Sequence, residues 1–87
     1  MIKSHTFRGS RWKIIEAPTE SFGECQAPFI KDKEMNIPAM GHSLTDLDTI
    51  IHESLHACCW DLDEEAVHES AKDIARLLWR LGWRNDG

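Results

Sequence analysis

This 87-residue chain has no apolar run long enough to cross a bilayer as a helix, so an α-helical membrane protein is not expected. Its first residues, Met1-Ile2-Lys3-Ser4-His5, lack the apolar stretch of a secretory signal. The three cysteines, Cys25, Cys58 and Cys59, are an odd number and form no CxxC pair. They argue against a disulfide framework and read as reduced thiols, which points to a cytoplasmic protein. A formal net charge of −5 speaks against bulk nucleic-acid binding. There is no tyrosine, and there are no internal repeats, low-complexity tracts or linkers. Residues 1–87 therefore read as one small domain, near the lower size at which a core alone suffices.

Against these absences stands one pentapeptide, His52-Glu53-Ser54-Leu55-His56, an HExxH pattern. Positions i and i+4 of a helix share a face, so two imidazoles at this spacing can grip one metal ion. The glutamate between them can reach a metal-bound water. At this composition chance would place the pattern in roughly one such chain in forty, so its surroundings must decide. From Ser43 to Cys59 there is neither Gly nor Pro, and Leu44, Leu47, Ile51, Leu55 and Cys58 recur at helical spacing. Ser43 is a natural N-cap, with Asp46 three residues on. With Ile51 at the centre of the buried stripe, His52 and His56 fall on its flank, as a metal site in a groove requires.

Catalytic zinc usually takes three protein ligands, and HExxH supplies two. Asp63 reads as the N-cap of a second helix with Glu64 and Glu65 in its first turn, stopped by Gly82. The short connection makes the two helices an antiparallel hairpin, in which His56 lies level with Glu65 and His52 with Glu69. The expected buried stripe of the second helix is Val67, Ala71, Ile74, Leu78 and Leu81. With both helices resting on one sheet, the facing flank carries Glu64, His68 and Glu65. Glu65 is the favoured third ligand, followed by His68 and Glu64. Glu69 stays open too, because Glu69 followed four residues later by Asp73 resembles the gluzincin pattern. The commoner role of Glu64 and Glu65 is to offset the helix dipole, and that of His68 is a solvated side chain.

The first half reads as a small antiparallel sheet of about three strands. His5 to Arg8 and Arg11 to Ala17 flank a Gly9-Ser10 turn. Residues 18 to 33 read as loop, where the Cys25 thiolate could cap a metal. Residues 34 to 38 form a third strand, with Pro38 suiting a sheet edge that could take up a peptide. The expected class is α+β, with a β-rich half at residues 1–42 and a two-helix half carrying the metal site at residues 43–87.

A strand, an HExxH helix and a glutamate-bearing second helix together resemble the zincin metallopeptidases whose third ligand is a glutamate. The run Glu64-Glu65-Ala66, followed by Ala71 and Ala75, is similar to the acidic second helix of ImmA/IrrE-type peptidases. Residues 43 to 84 resemble the minimal single-domain zincin-like proteins encoded by tailed bacteriophages. The likeness runs from Ile51-His52-Glu53-Ser54-Leu55-His56-Ala57, through an acidic turn, to Leu78-Trp79-Arg80-Leu81-Gly82-Trp83. The third histidine of metzincins and the long spacer of larger gluzincins are absent, and no family motif precedes Ser43. The resemblance implies a zinc metalloendopeptidase acting on a protein or peptide, in the host cytoplasm if phage-encoded. His52, His56 and Glu65 would then hold Zn²⁺ and Glu53 would act as general base. With no tyrosine to stabilise an oxyanion, His5, His42 or an arginine would have to serve.

Two other classes fit the same residues. The chain could be a zincin-fold effector that holds zinc and cleaves nothing. It could also be a binding module using Lys72, Arg76, Arg80 and Arg84, which recur every four residues along the second helix near Trp79 and Trp83. Such a stripe can dock an acidic partner, or simply be a solvated face pairing with Glu69 and Asp73. Nothing in the residue pattern speaks to oligomeric state.

Overall fold

The computed structural model describes residues 2–17, 24, 25, 29, 31–38 and 43–84, without the side chains of residues 17, 24 and 25. The expectations for Cys25 as a metal cap, for His42 as an oxyanion partner and for most of the 18–33 loop therefore fall outside the described residues. The elements are β1 (Ser4–Phe7), β2 (Ser10–Ala17), β3 (Glu24–Cys25), β4 (Glu34–Pro38), α1 (Leu44–Cys58) and α2 (Glu64–Arg80). This is the small α+β fold expected from the sequence.

β1 and β2 form a hairpin with Phe7 paired to Ser10, so the turn is Arg8-Gly9, one residue earlier than expected. Both turn residues have positive φ, 47° and 80°, the pattern of a type I′ turn that matches strand twist. Arginine is strained in this region. Its side chain reaches across the fold, where Arg8 Nη1 donates to the Cys58 carbonyl at 2.8 Å. That bond satisfies a carbonyl at the open end of α1 and ties the hairpin tip to the helix.

The sheet order is β1-β2-β4-β3. It is mixed rather than antiparallel, because β2 and β4 run parallel while the two outer pairs are antiparallel. β4 is consequently an inner strand, not the expected edge. The edge is β3, two residues drawn from the segment expected to be loop. Among the described residues β3 pairs with Met35 and Asn36 only, and Pro38 is flanked by Ala17 of β2 alone. The proline thus sits where a missing N–H is tolerated.

One face of the sheet carries the core. Trp12 and Met35 are almost fully enclosed with Ile14 and Ala57, and Phe7 and Ile37 pack against them. Phe7 meets Trp12 edge-on, with ring centroids 5.6 Å apart. Alternation along β2 places Arg11, Lys13 and Ile15 on the opposite face.

α1 starts as expected, with Ser43 Oγ accepting from the Asp46 N–H at 3.0 Å. It contacts β1, β3 and β4 on one side and α2 on the other. Its buried residues are Glu53 and Ala57, one turn apart, while Ile51 is only half-buried. The single stripe centred on Ile51 is therefore corrected, since a helix between two layers has two faces to cover.

α2 is capped by Asp63, whose carboxylate accepts from the Glu65 N–H at 2.8 Å. It ends in a Schellman motif. Gly82 has φ 95°, its N–H bonds the Trp79 carbonyl, and Trp83 N–H bonds the Leu78 carbonyl, each at 3.0 Å. Among the described residues α2 meets α1 and no strand, so the two helices do not lie side by side on the sheet. Its buried stripe is Val67, Ala71 and Ala75 in place of the expected run through Ile74 and Leu81. Small side chains let the helix axes approach closely, and that selects the alanine face. Replacing Ala71 with leucine should cost about 1–3 kcal/mol by overpacking. Lys72→Leu, one residue away on an exposed position, should stay within about 0.5 kcal/mol. Urea unfolding of the two variants checks which face of α2 is against α1.

Candidate metal centre

The site is assembled from the middle of α1 and the first residue of α2. His52 and His56 lie one helical turn apart, with ring centroids 4.8 Å apart and Nε2 atoms 3.1 Å apart. The Glu64 carboxylate bridges them. Its Oε1 is 2.9 Å from His52 Nε2 and its Oε2 is 2.9 Å from His56 Nε2. The imidazoles are mostly enclosed, at 19% and 17% exposure, and Glu64 is open to solvent at 69%.

Three ligand-type atoms within 4.8 Å of one another make a cluster that could hold a metal ion. A tetrahedral zinc site with bonds of about 2.0 Å would separate its ligand atoms by about 3.3 Å. Each Nε2 lies 2.9 Å from one Glu64 oxygen, the two Nε2 atoms are 3.1 Å apart, and one ligand atom taken from each residue lies within 4.8 Å of the others, a span that brackets that value. Two neutral imidazoles and a carboxylate are also ordinary zinc donors. Donor set and spacing therefore both fit the ion. Without a metal the same atoms make a compact cluster, with hydrogen bonds of 2.9 Å between His52 Nε2 and Glu64 Oε1 and of 3.1 Å between the two Nε2 atoms, whose donor and acceptor roles follow the ring tautomers.

Glu64 is the carboxylate that reaches the histidines, whereas Glu65 was favoured from the sequence. The reason is the rotation of α2. Glu64, Val67 and Ala71 recur at i, i+3 and i+7 on the face turned to α1. Glu65 lies about 100° further round and is exposed. A helix resting on the sheet would turn its buried stripe to the strands and offer α1 the flank with Glu64, His68 and Glu65; with the stripe turned to α1 itself, Glu64 faces the histidines and Glu65 falls outside. His68, the second choice, has its ring centroid 6.2 Å from that of His52 and is exposed, so it neighbours the cluster without joining it. Glu69 is exposed as well and no described contact brings it to the histidines.

Glu53 is 6% exposed, the one charged residue among the described residues that is buried. It shares a face of α1 with Ala57, which packs into the Trp12 core, so it faces the sheet side of the helix. It is an engaged rather than an isolated acid, since no buried side-chain oxygen or nitrogen among the described residues lacks a hydrogen-bond partner. Cys58 and Cys59 are half-buried free thiols at the end of α1. His5 stacks edge-on against Phe7 in β1, with no described contact to the cluster.

Trp60 was not singled out from the sequence. Its ring centroid lies 6.3 Å from that of His56, which fits its place four residues further along. It also lines an open hollow of about 390 Å³ together with Phe7, Arg8, Cys58 and Asp61. The basic stripe is not continuous. Lys72 and Arg76 line a small groove beside Asp48, while the Arg84 guanidinium lies 3.3 Å over the Trp79 ring and bonds two carbonyls.

Substituting Glu64 with alanine should lower zinc affinity by more than about tenfold, the loss seen even for residues that only support a ligand. Glu65→Ala should leave it unchanged. Competition titration against a chromophoric chelator separates the two.

Compared with known proteins, the chain matches no family model, no curated protein and no solved structure. Any functional reading must therefore rest on the chemistry of this cluster.

Proposed function

We propose that the chain is a zinc-dependent metallopeptidase of minimal zincin type, with His52, His56 and Glu64 as metal ligands and Glu53 as general base. The observation that carries this reading is the convergence of two Nε2 atoms and both Glu64 oxygens at 2.9–3.1 Å, within an HExxH helix. A zinc ion held there would supply a Lewis acid for a peptide carbonyl and an acidified water. His52 and His56 must present neutral imidazoles, and their partial enclosure keeps the rings oriented. The exposed side at Glu64 leaves room for a substrate and a fourth ligand. Glu53 accepts the proton of the attacking water and returns it to the leaving amine. β3, at the sheet edge beside α1, takes over from β4 as the edge to which an extended peptide can add. The hollow beside Trp60 gives a neighbouring substrate side chain a place to sit.

A second reading uses the same ion without turnover. α2 meets only α1 among the described residues, and the cluster joins the two helices, so zinc there would clip the hairpin together in a non-hydrolytic effector. Glu53→Gln separates the readings. The peptidase reading expects about one zinc per chain in wild type and variant alike, with hydrolysis of a mixed peptide library lost in the variant. Zinc-loaded wild type that cleaves nothing would leave the clip. Lack of zinc binding would sink both.

A further inference from the structure

α2 carries a second apolar stripe that the fold does not use. Ile74, Leu77 and Leu81 are 40%, 57% and 67% exposed, while Val67, Ala71 and Ala75 on the α1 face are fully enclosed. The exposed residues are spaced by three and four, the spacing of a seam between paired helices. Asp73 and Arg80 border this seam on the same side, seven residues apart, and both are exposed. A convex helix surface offers no enclosure to a small molecule, but it matches a second helix.

We propose that this stripe is a homodimer interface in which α2 packs against α2 of a second copy, antiparallel about a two-fold axis near Leu77. The charges choose both occupant and orientation. With the axis at Leu77, Asp73 of one copy lies level with residue 81 of the other and beside its Arg80, and the same pair repeats across the axis. A parallel two-fold arrangement would turn the flanks that carry Asp73 and Arg80 to opposite sides of the seam, where neither charge meets its counterpart. The seam is thus complementary to itself in one direction only, as a two-fold interface demands. The metal cluster at the opposite end of α2 is left accessible. This inference does not depend on the peptidase reading.

Sedimentation equilibrium of the wild-type chain across a wide concentration range tests it, since a short seam gives a concentration-dependent dimer. Wild type should reach the dimer mass. Leu77→Glu should stay monomeric with an unchanged far-ultraviolet circular dichroism spectrum, because Leu77 contacts solvent within one copy. If that variant fails to fold, the milder Leu77→Ala with Leu81→Ala takes its place with the same expectation. Asp73→Arg should weaken association by about tenfold, and adding Arg80→Asp should restore it. A monomeric wild type would overturn the proposal and leave the stripe to a different protein partner. A dimer indifferent to Leu77→Glu, or a charge swap that fails to restore association, would overturn this interface.

Discussion

The close approach of α2 to α1 over Val67, Ala71 and Ala75 is the contact on which the rest depends. α2 touches no strand among the described residues, so this seam alone sets its position and rotation. The short connection between the helices sets the first residue of α2 level with the histidines of α1, and the alanines let the axes come near enough for a carboxylate there to reach them. Glu64 lies on the same face as Val67 and Ala71, and therefore arrives between His52 and His56. A rotation of one residue would present Glu65 instead. The site is a consequence of which small residues the helix buries.

α1 bears a double load. On one side Ala57 enters the Trp12, Ile14 and Met35 core; on another, the histidines meet Glu64. Glu53 is consequently buried while its neighbour His52 stays partly exposed. In the proposed hydrolysis this division would suit two jobs, one to hold a proton in an enclosed place and one to hold an ion at a mouth open to substrate. The Arg8 bond to the last carbonyl of α1 fixes the hairpin against the same helix. Sheet, metal helix and outer helix thereby become one rigid stack in a chain with little core to spend.

α2 in turn presents two apolar seams. One is made of small side chains and is closed by α1; the other is made of large ones and faces outward. An amphipathic pattern read as a single stripe merges them, since Ile74 of the outer seam lies only about 20° round the helix from Val67 of the inner one. Large apolar side chains left at a surface beside complementary charges are the usual mark of a contact with another chain.

The sequence by itself determined the local features. The HExxH helix, the Ser43 and Asp63 caps, the Gly82 stop and the β hairpin are all set by residues near one another along the chain. Their hydrogen bonds and dihedral preferences do not need the rest of the fold. The third member of the cluster was legible only as a window from Glu64 to Glu69, because hairpin length sets the level along the helix but not the rotation. Tertiary structure decided that rotation, through the preference of α1 for the alanine face. It also decided the parallel pairing of β2 with β4 and the inner place of β4. Strand order depends on contacts far apart in sequence, and the two-residue β3 that covers β4 is too short to leave a pattern. Local chemistry wrote the two histidines into the chain; packing between layers chose the carboxylate that meets them.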